Sequence, residues 1–203
     1  METTKIHLSA DELSLIHNEE WILTKNRVIE KITHAMGQLG MQMQSKAEEK
    51  KHQIIHELLL SNPKISKGEK YQGLPYIILD YPRNFEKENI FAIRTFFWWG
   101  NFCSITLHVN GRYKDRIFEK LVREYAVLQR LGFYLSISGN EWNHDLRTGD
   151  YRRLETISLT ELDSSRLYAS FIKVGAKVEL GQWNKMETEL YHLFLVLLTL
   201  AEI

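Results

Sequence analysis

Apolar residues recur at helical spacing through the first third of the chain. Ile22, Ile29, Ile32, Met36, Leu39 and Met43 fall three, four or seven apart and form one stripe. Upstream, Ser9 with Glu12 three residues later has the pattern of a capping box, in which each side chain satisfies the other's backbone N–H. Gly37 and Gly40 interrupt the stripe, each costing about 1 kcal/mol relative to Ala inside a helix. A break between two helices is therefore expected within 37–45. A second amphipathic stretch follows the polar run 45–53 and ends at Leu60, where Ser61-Asn62-Pro63 stops it.

Beyond a charged, loop-like segment (64–74), the period changes to two. Strands are expected over 76–81, 90–99 and 102–109, with Gly100-Asn101 as a two-residue hairpin between the last two. Alternation sorts their side chains. Ile77, Leu79 and Tyr81, then Phe91, Ile93, Phe97 and Trp99, then Cys103, Ile105, Leu107 and Val109 form one apolar face. Helical spacing returns over 114–131 with Ile117, Leu121, Tyr125 and Leu128, and Gly132 stands where a helix C-terminus favours glycine. A fourth strand is expected over 133–138, with Phe133, Leu135 and Ile137 inward. Residues 139–153 read as a polar loop, and 154–159 and 167–174 as further strands. Asn184 with Glu187 resembles a cap for a closing helix that is apolar almost all round after Leu190 and should pack deeply.

Helices, a meander, a helix, more strands and a closing helix do not alternate as a parallel sheet requires. The fold class is α+β: an antiparallel β-meander packed with N-terminal, central and C-terminal helices. One domain over 1–203 is expected, helical over 1–62 and sheet with packed helices over 64–203. The chain's 203 residues suffice for one sizeable core.

Composition narrows the function classes. Lys plus Arg and Asp plus Glu both number 26, and this balance argues against a nucleic-acid partner, which needs a surplus of cations. The longest apolar run, 193–198, is far short of the ~20 residues of a membrane span. No apolar leader opens the chain, so no membrane partner and a cytoplasmic location are expected. The lone Cys103 sits in a strand and reads as a buried, inert thiol. No nucleophile elbow, phosphate loop, dinucleotide fingerprint or Cys-x-x-Cys pair occurs, and neither a cofactor nor a metal is expected.

Candidate chemistry lies on the other face of the meander. In simple meander order, Asp80, Arg94 and His108 share that face with Ser104, Thr106, Tyr76, Phe96, Trp98 and Phe102, and Tyr134, Ser136 and Ser138 join it if the fourth strand pairs nearby. Asp80, Arg94, His108, Trp98 and Tyr76 are the candidate ligand-binding residues. Aromatics supply contact area, while the guanidinium fork of Arg94 suits a small anion or a peptide carboxylate. The same alternation also describes an ordinary wetted sheet face with a cross-strand ion pair. The leading expectation is thus a non-catalytic binding or interaction module.

Two alternatives stand beside it. A hydrolytic, metal-assisted enzyme would use His144 with Glu141 or Asp145 in the 139–153 loop, or the His52/His56 pair four apart on a helix. Gln53, however, stands where a zinc protease carries its glutamate. An oligomeric structural protein would pair the stripe from Ile22 to Met43 with a partner helix, giving a homo-oligomer through the N-terminal helices.

Overall fold

A computed structural model describes residues 6–165 and 169–202. Helix α1 (Ala10–Ile16) begins at Ser9 with the expected capping box, both of its hydrogen bonds formed. Helix α2 (Glu19–Glu49) runs unbroken through 37–45, correcting the expected interruption. The glycines serve packing instead. A Cβ on Gly40 would stand 3.1 Å from Pro63 Cβ and 3.2 Å from Leu79 Cδ1, so its absence lets the helix lie close on the sheet. The helix buries Ile32, Met36, Leu39 and Met43, the downstream part of the expected stripe, while Ile22 stays exposed.

The second amphipathic stretch is not a helix to Leu60. After α2 the chain turns, and only the short α3 (His56–Leu59) follows. The segment expected as a loop after it is strand β1 (Lys64–Tyr71), antiparallel to β2 (Leu74–Glu86). The meander continues with β3 (Asn89–Trp98) and β4 (Phe102–Asn110), joined by the three residues 99–101 rather than a two-residue turn. Helices α4 (Lys114–Arg123) and α5 (Tyr125–Arg130) divide the expected 114–131 helix at Glu124.

Strand β5 (Tyr134–Ser136) is shorter than expected, and Ile137 is exposed rather than inward. Strand β6 (Tyr151–Arg153) closes the polar loop. The expected strand at 154–159 is instead a 3-10 turn, Leu154–Thr156, leading into α6 (Leu159–Ser165). Of the expected strand over 167–174, Leu167 and Tyr168 lie outside the described residues; the strand seen is β7 (Phe171–Glu179). Helix α7 (Met186–Leu200) closes the chain and buries seven apolar residues, though Lys185, not Asn184, is its N-cap and no side chain caps it.

Among the described residues the seven strands form one sheet, ordered β1-β2-β3-β4-β7-β5-β6, with antiparallel neighbours. Helices α2, α4 and α7 pack on one face. There Ile77, Leu79, Phe91, Ile93, Phe97, Cys103, Ile105, Leu107, Val109, Val174 and Ala176 join the helical side chains in a single apolar core. Burial in that core pushes the Cys103 thiol up to about 12, so it stays a neutral thiol. No helix among the described residues is long and apolar enough to cross a membrane.

Candidate functional site

The second face of the sheet is covered by chain without regular structure, the segment 137–150 between β5 and β6. The meander register sets its floor. Asp80, Arg94, Thr106 and Gly175 lie side by side across β2, β3, β4 and β7; Ala92, His108 and Lys173 lie on the next rung. Gly175 has no room for a side chain, since a Cβ there would stand 2.5 Å from Thr106 Cγ2. One extra residue in β2 between Asp80 and Arg83 forms a bulge beside this rung, a device that re-aims side chains near sites.

Arg94 grips Asp80 through two parallel bonds, Nε to Oδ1 at 2.7 Å and Nη2 to Oδ2 at 2.9 Å. Its third nitrogen, Nη1, reaches Nε2 of His144 at 3.2 Å. His144 comes from the covering loop and stacks on Phe96, with ring centroids 5.2 Å apart. Its other nitrogen, Nδ1, is 3.2 Å from Nζ of Lys173, which also donates to the carbonyls of Glu141 (2.9 Å) and Asn143 (2.6 Å).

These contacts dictate the protonation pattern. Arg94 can only donate, so Nε2 of His144 accepts and Nδ1 carries the proton. That proton points at Lys173, whose amine must then offer a lone pair while its two hydrogens serve the two carbonyls. A neutral lysine satisfies all four contacts; an ammonium would set donor against donor. Lys173 is 1% exposed, and burial, aided by the nearby Arg94 charge, brings it down to about 7. Burial likewise lowers His144 to about 2 and His108 to about 3, and the Arg94 charge adds to it, as does that of Lys173 once it is protonated below about 7. The neutral His108 ring donates Nε2–H to the Glu141 carboxylate at 3.0 Å.

Aromatic side chains fill the rest. Tyr71 lies edge-on to Phe96 and Trp98, at 5.3 and 5.1 Å, and Tyr76 pairs with Trp98 across the strands. The Tyr71 hydroxyl accepts the His144 backbone N–H at 2.8 Å and donates to Asn143 Oδ1 at 3.2 Å. Tyr151 donates to the Asn143 carbonyl at 2.7 Å, and Arg147 caps Trp98 and Phe102 with its guanidinium 5.1 and 5.3 Å from the rings. Trp98 Nε1, Ser104 Oγ and Thr106 Oγ1 are buried on this face without a hydrogen-bond partner.

The structure therefore joins two sets of residues that the sequence offers separately. Asp80 and Arg94 meet directly; His108 sits one rung away and meets Glu141; His144 bridges the sheet to the loop; Trp98 and Tyr76 belong to the aromatic wall. Asp145 turns away to Arg147. His52 lies in the turn after α2 and His56 opens α3, so the two share no helix face, which corrects the expected pair. Among the described residues no three His, Cys, Asp or Glu side chains converge as metal ligands. Lys173 and Tyr71 escape a reading of motifs. Lys173 was nonetheless findable: in the run Phe171–Glu179 it alternates onto the same face as Gly175 and Lys177. Comparison with known protein families, curated proteins and solved structures gives no match to this chain.

Proposed function

We propose that the protein is a non-catalytic binding module whose second sheet face takes a small anion, or the carboxylate of a peptide, at Arg94, Lys173 and His108. The observation that carries this reading is unspent polar capacity beneath the loop: Trp98 Nε1, Ser104 Oγ and Thr106 Oγ1 have no partner in the protein. Buried polar groups are almost always paired, so three unpaired ones close together call for a partner such as a ligand, an ion or buried water. A cluster of buried titratable groups with displaced pKa values supports the same location. Asp80 already neutralises Arg94, whereas the carboxylate that meets His108 belongs to the loop's own Glu141, whose backbone carbonyl accepts from Lys173. An incoming anion would take the place of that carboxylate as the loop lifts. Both histidines stay neutral at ordinary pH, which suits them to orient a ligand rather than to shuttle protons.

The test is calorimetric titration of the full chain with sulfate, succinate and a short acidic peptide near pH 8. An anion beside Lys173 restores its charge, so binding should take up as much as one proton, read from the dependence of the heat on buffer ionisation. Arg94→Ala should weaken binding at least tenfold. Absence of heat with all three probes, or binding indifferent to Arg94→Ala, overturns the proposal. Sulfate and the peptide as alternative winners separate a free anion from a peptide end.

A further inference from the structure

Three groups meet the Lys173 nitrogen, and none is a carboxylate: the carbonyls of Glu141 and Asn143, and Nδ1 of His144. Because Nε2 of His144 accepts from Arg94, Nδ1 is a donor, and the lysine can meet it only with a lone pair. A lysine amine that carries its lone pair at neutral pH attacks carbonyl carbon, whereas an exposed lysine, at ~10.4, is almost wholly protonated. Arg94 belongs to β3 and not to the loop, so its charge still disfavours the ammonium when the loop moves.

A small molecule can approach from the side. Strands β5 and β7 pair through Tyr134 with Gly175 and Leu135 with Val174; the pairing ends before Ser136 and Lys173, and there the strands part. A cavity of about 290 Å³ lies at the parting, walled by residues that include Phe118, Leu135, Ser136, Gly139, Phe171 and Ile172. Phe171 is shared with the site, its ring 5.7 Å from that of His108. Loop chain separates the cavity from the amine, with Gly139 in the cavity wall and Glu141 on Lys173. A shift of these few residues would join the two.

We propose that Lys173 captures a small 2-oxo acid, of the pyruvate type, as a covalent imine. The carboxylate's place rests on the anion reading above. The amine nitrogen bonds the keto carbon, whose oxygen takes both amine hydrogens and leaves as water; a solvent proton then makes the imine an iminium, and nothing is oxidised or reduced. The iminium keeps one N–H for a loop carbonyl, and its charge balances the carboxylate. That carboxylate, attached to the carbon now joined to nitrogen, comes beside Nδ1–H of His144 and gives it a charged acceptor in place of the lysine lone pair. A neutral ketone or aldehyde offers the histidine no such acceptor, which selects the 2-oxo acid.

The test is reductive trapping on the full chain near pH 7 with pyruvate and cyanoborohydride, whose hydride turns the iminium into a stable secondary amine, followed by peptide mapping. Lys173 should carry the carboxyethyl group about tenfold more often than any surface lysine, and the preference should vanish in the urea-unfolded chain. Succinate should suppress the labelling, and hydroxyacetone, a ketone of like size without the charge, should label Lys173 about tenfold less. Lys173 left unlabelled while succinate still binds by calorimetry overturns the imine and spares the anion site; no label and no binding overturn both. Label at Lys173 that succinate does not diminish removes the anion reading and the 2-oxo acid with it. Surface lysines labelled equally, a preference that survives unfolding, or hydroxyacetone reacting as well as pyruvate each overturn the inference.

Discussion

The two faces of the sheet solve the same burial problem in opposite ways. Of the eight buried polar or charged residues described, only Thr95 belongs to the helix-covered face; Asp80, Ser104, Thr106, His108, His144, Asp145 and Lys173 all lie on the loop-covered side. Helices satisfy their own backbone and offer apolar stripes, so the face beneath them needs no polar partner. A loop without regular structure brings unpaired carbonyls and amides, and something must meet them. Here Lys173, Tyr71 and Tyr151 do so, holding Glu141, Asn143 and His144 against the sheet. The loop side is thereby sensitive to protonation and the helix side indifferent to it.

Acid should separate the two faces most sharply. His108 and His144 hold native values near 3 and near 2, against ~6.5 in the unfolded chain. Between pH ~6.5 and ~3 the unfolded chain binds protons that the folded site refuses, so this contribution is complete above 6.5 and is lost as pH falls. For His108 alone the upper bound is on the order of 5 kcal/mol. Lys173 acts on the alkaline side: with a native value of about 7 against ~10.4 unfolded, it should make stability climb from pH 7 toward 10. Urea midpoints measured across pH check both slopes. His108→Gln, which keeps a donor toward Glu141, should flatten the acid slope, and a slope unchanged in that variant would break the distinction.

Next in size are deletions in each face. Phe91→Ala beneath the helices should cost ~4 kcal/mol through lost burial and a cavity, with the same loss at every pH. Arg94→Met beneath the loop should cost about 3 kcal/mol, because it leaves Asp80 buried and unpaired. Adding Asp80→Leu should recover most of that loss, since a buried ion pair replaced by apolar groups of like volume is near neutral. Chemical denaturation of the two singles and the double closes the cycle. A double as unstable as the Arg94 single would mean that Arg94 acts chiefly through His144.

The faces also differ in how far the sequence revealed them. The register that sets Asp80 beside Arg94 was readable because alternation and a short turn leave the three central strands little freedom. Strand β1 was not, since KISKGEKY carries the lysines and glycine of a loop; those same lysines suit an edge strand, where they discourage pairing with another chain. The continuity of α2 was hidden because Gly40 answers to Pro63 and Leu79, a tertiary demand that outweighs helix propensity. The approach of His144 to Arg94 and Lys173 depends on where a loop docks across 50 and 29 residues of chain, which no local pattern encodes.

Tyr71→Phe tests that docking on a smaller scale. It removes one hydroxyl that accepts from the His144 amide and donates to Asn143, and should cost about 1 kcal/mol globally. Its signature is local: amides of 139–150 should exchange hydrogen faster, while those of β4 and α7 stay protected. Equal acceleration on both faces would show that the loop does not open independently of the core.

The smallest expected effect has the opposite sign. Thr106→Val exchanges a buried hydroxyl without a partner for a methyl group of nearly the same shape. In a purely structural face the change removes an unsatisfied group and should stabilise by up to ~1 kcal/mol. If the face receives an anion, the same variant should gain that stability and bind sulfate more weakly, because the hydroxyl is kept for the ligand rather than for the fold. Thermal melting with and without sulfate reads both quantities in one sample. Stabilisation with undiminished sulfate binding would remove Thr106 from the site. A destabilised variant would show that the hydroxyl already has a partner, such as a buried water, and that the polar capacity beneath the loop is spent within the fold.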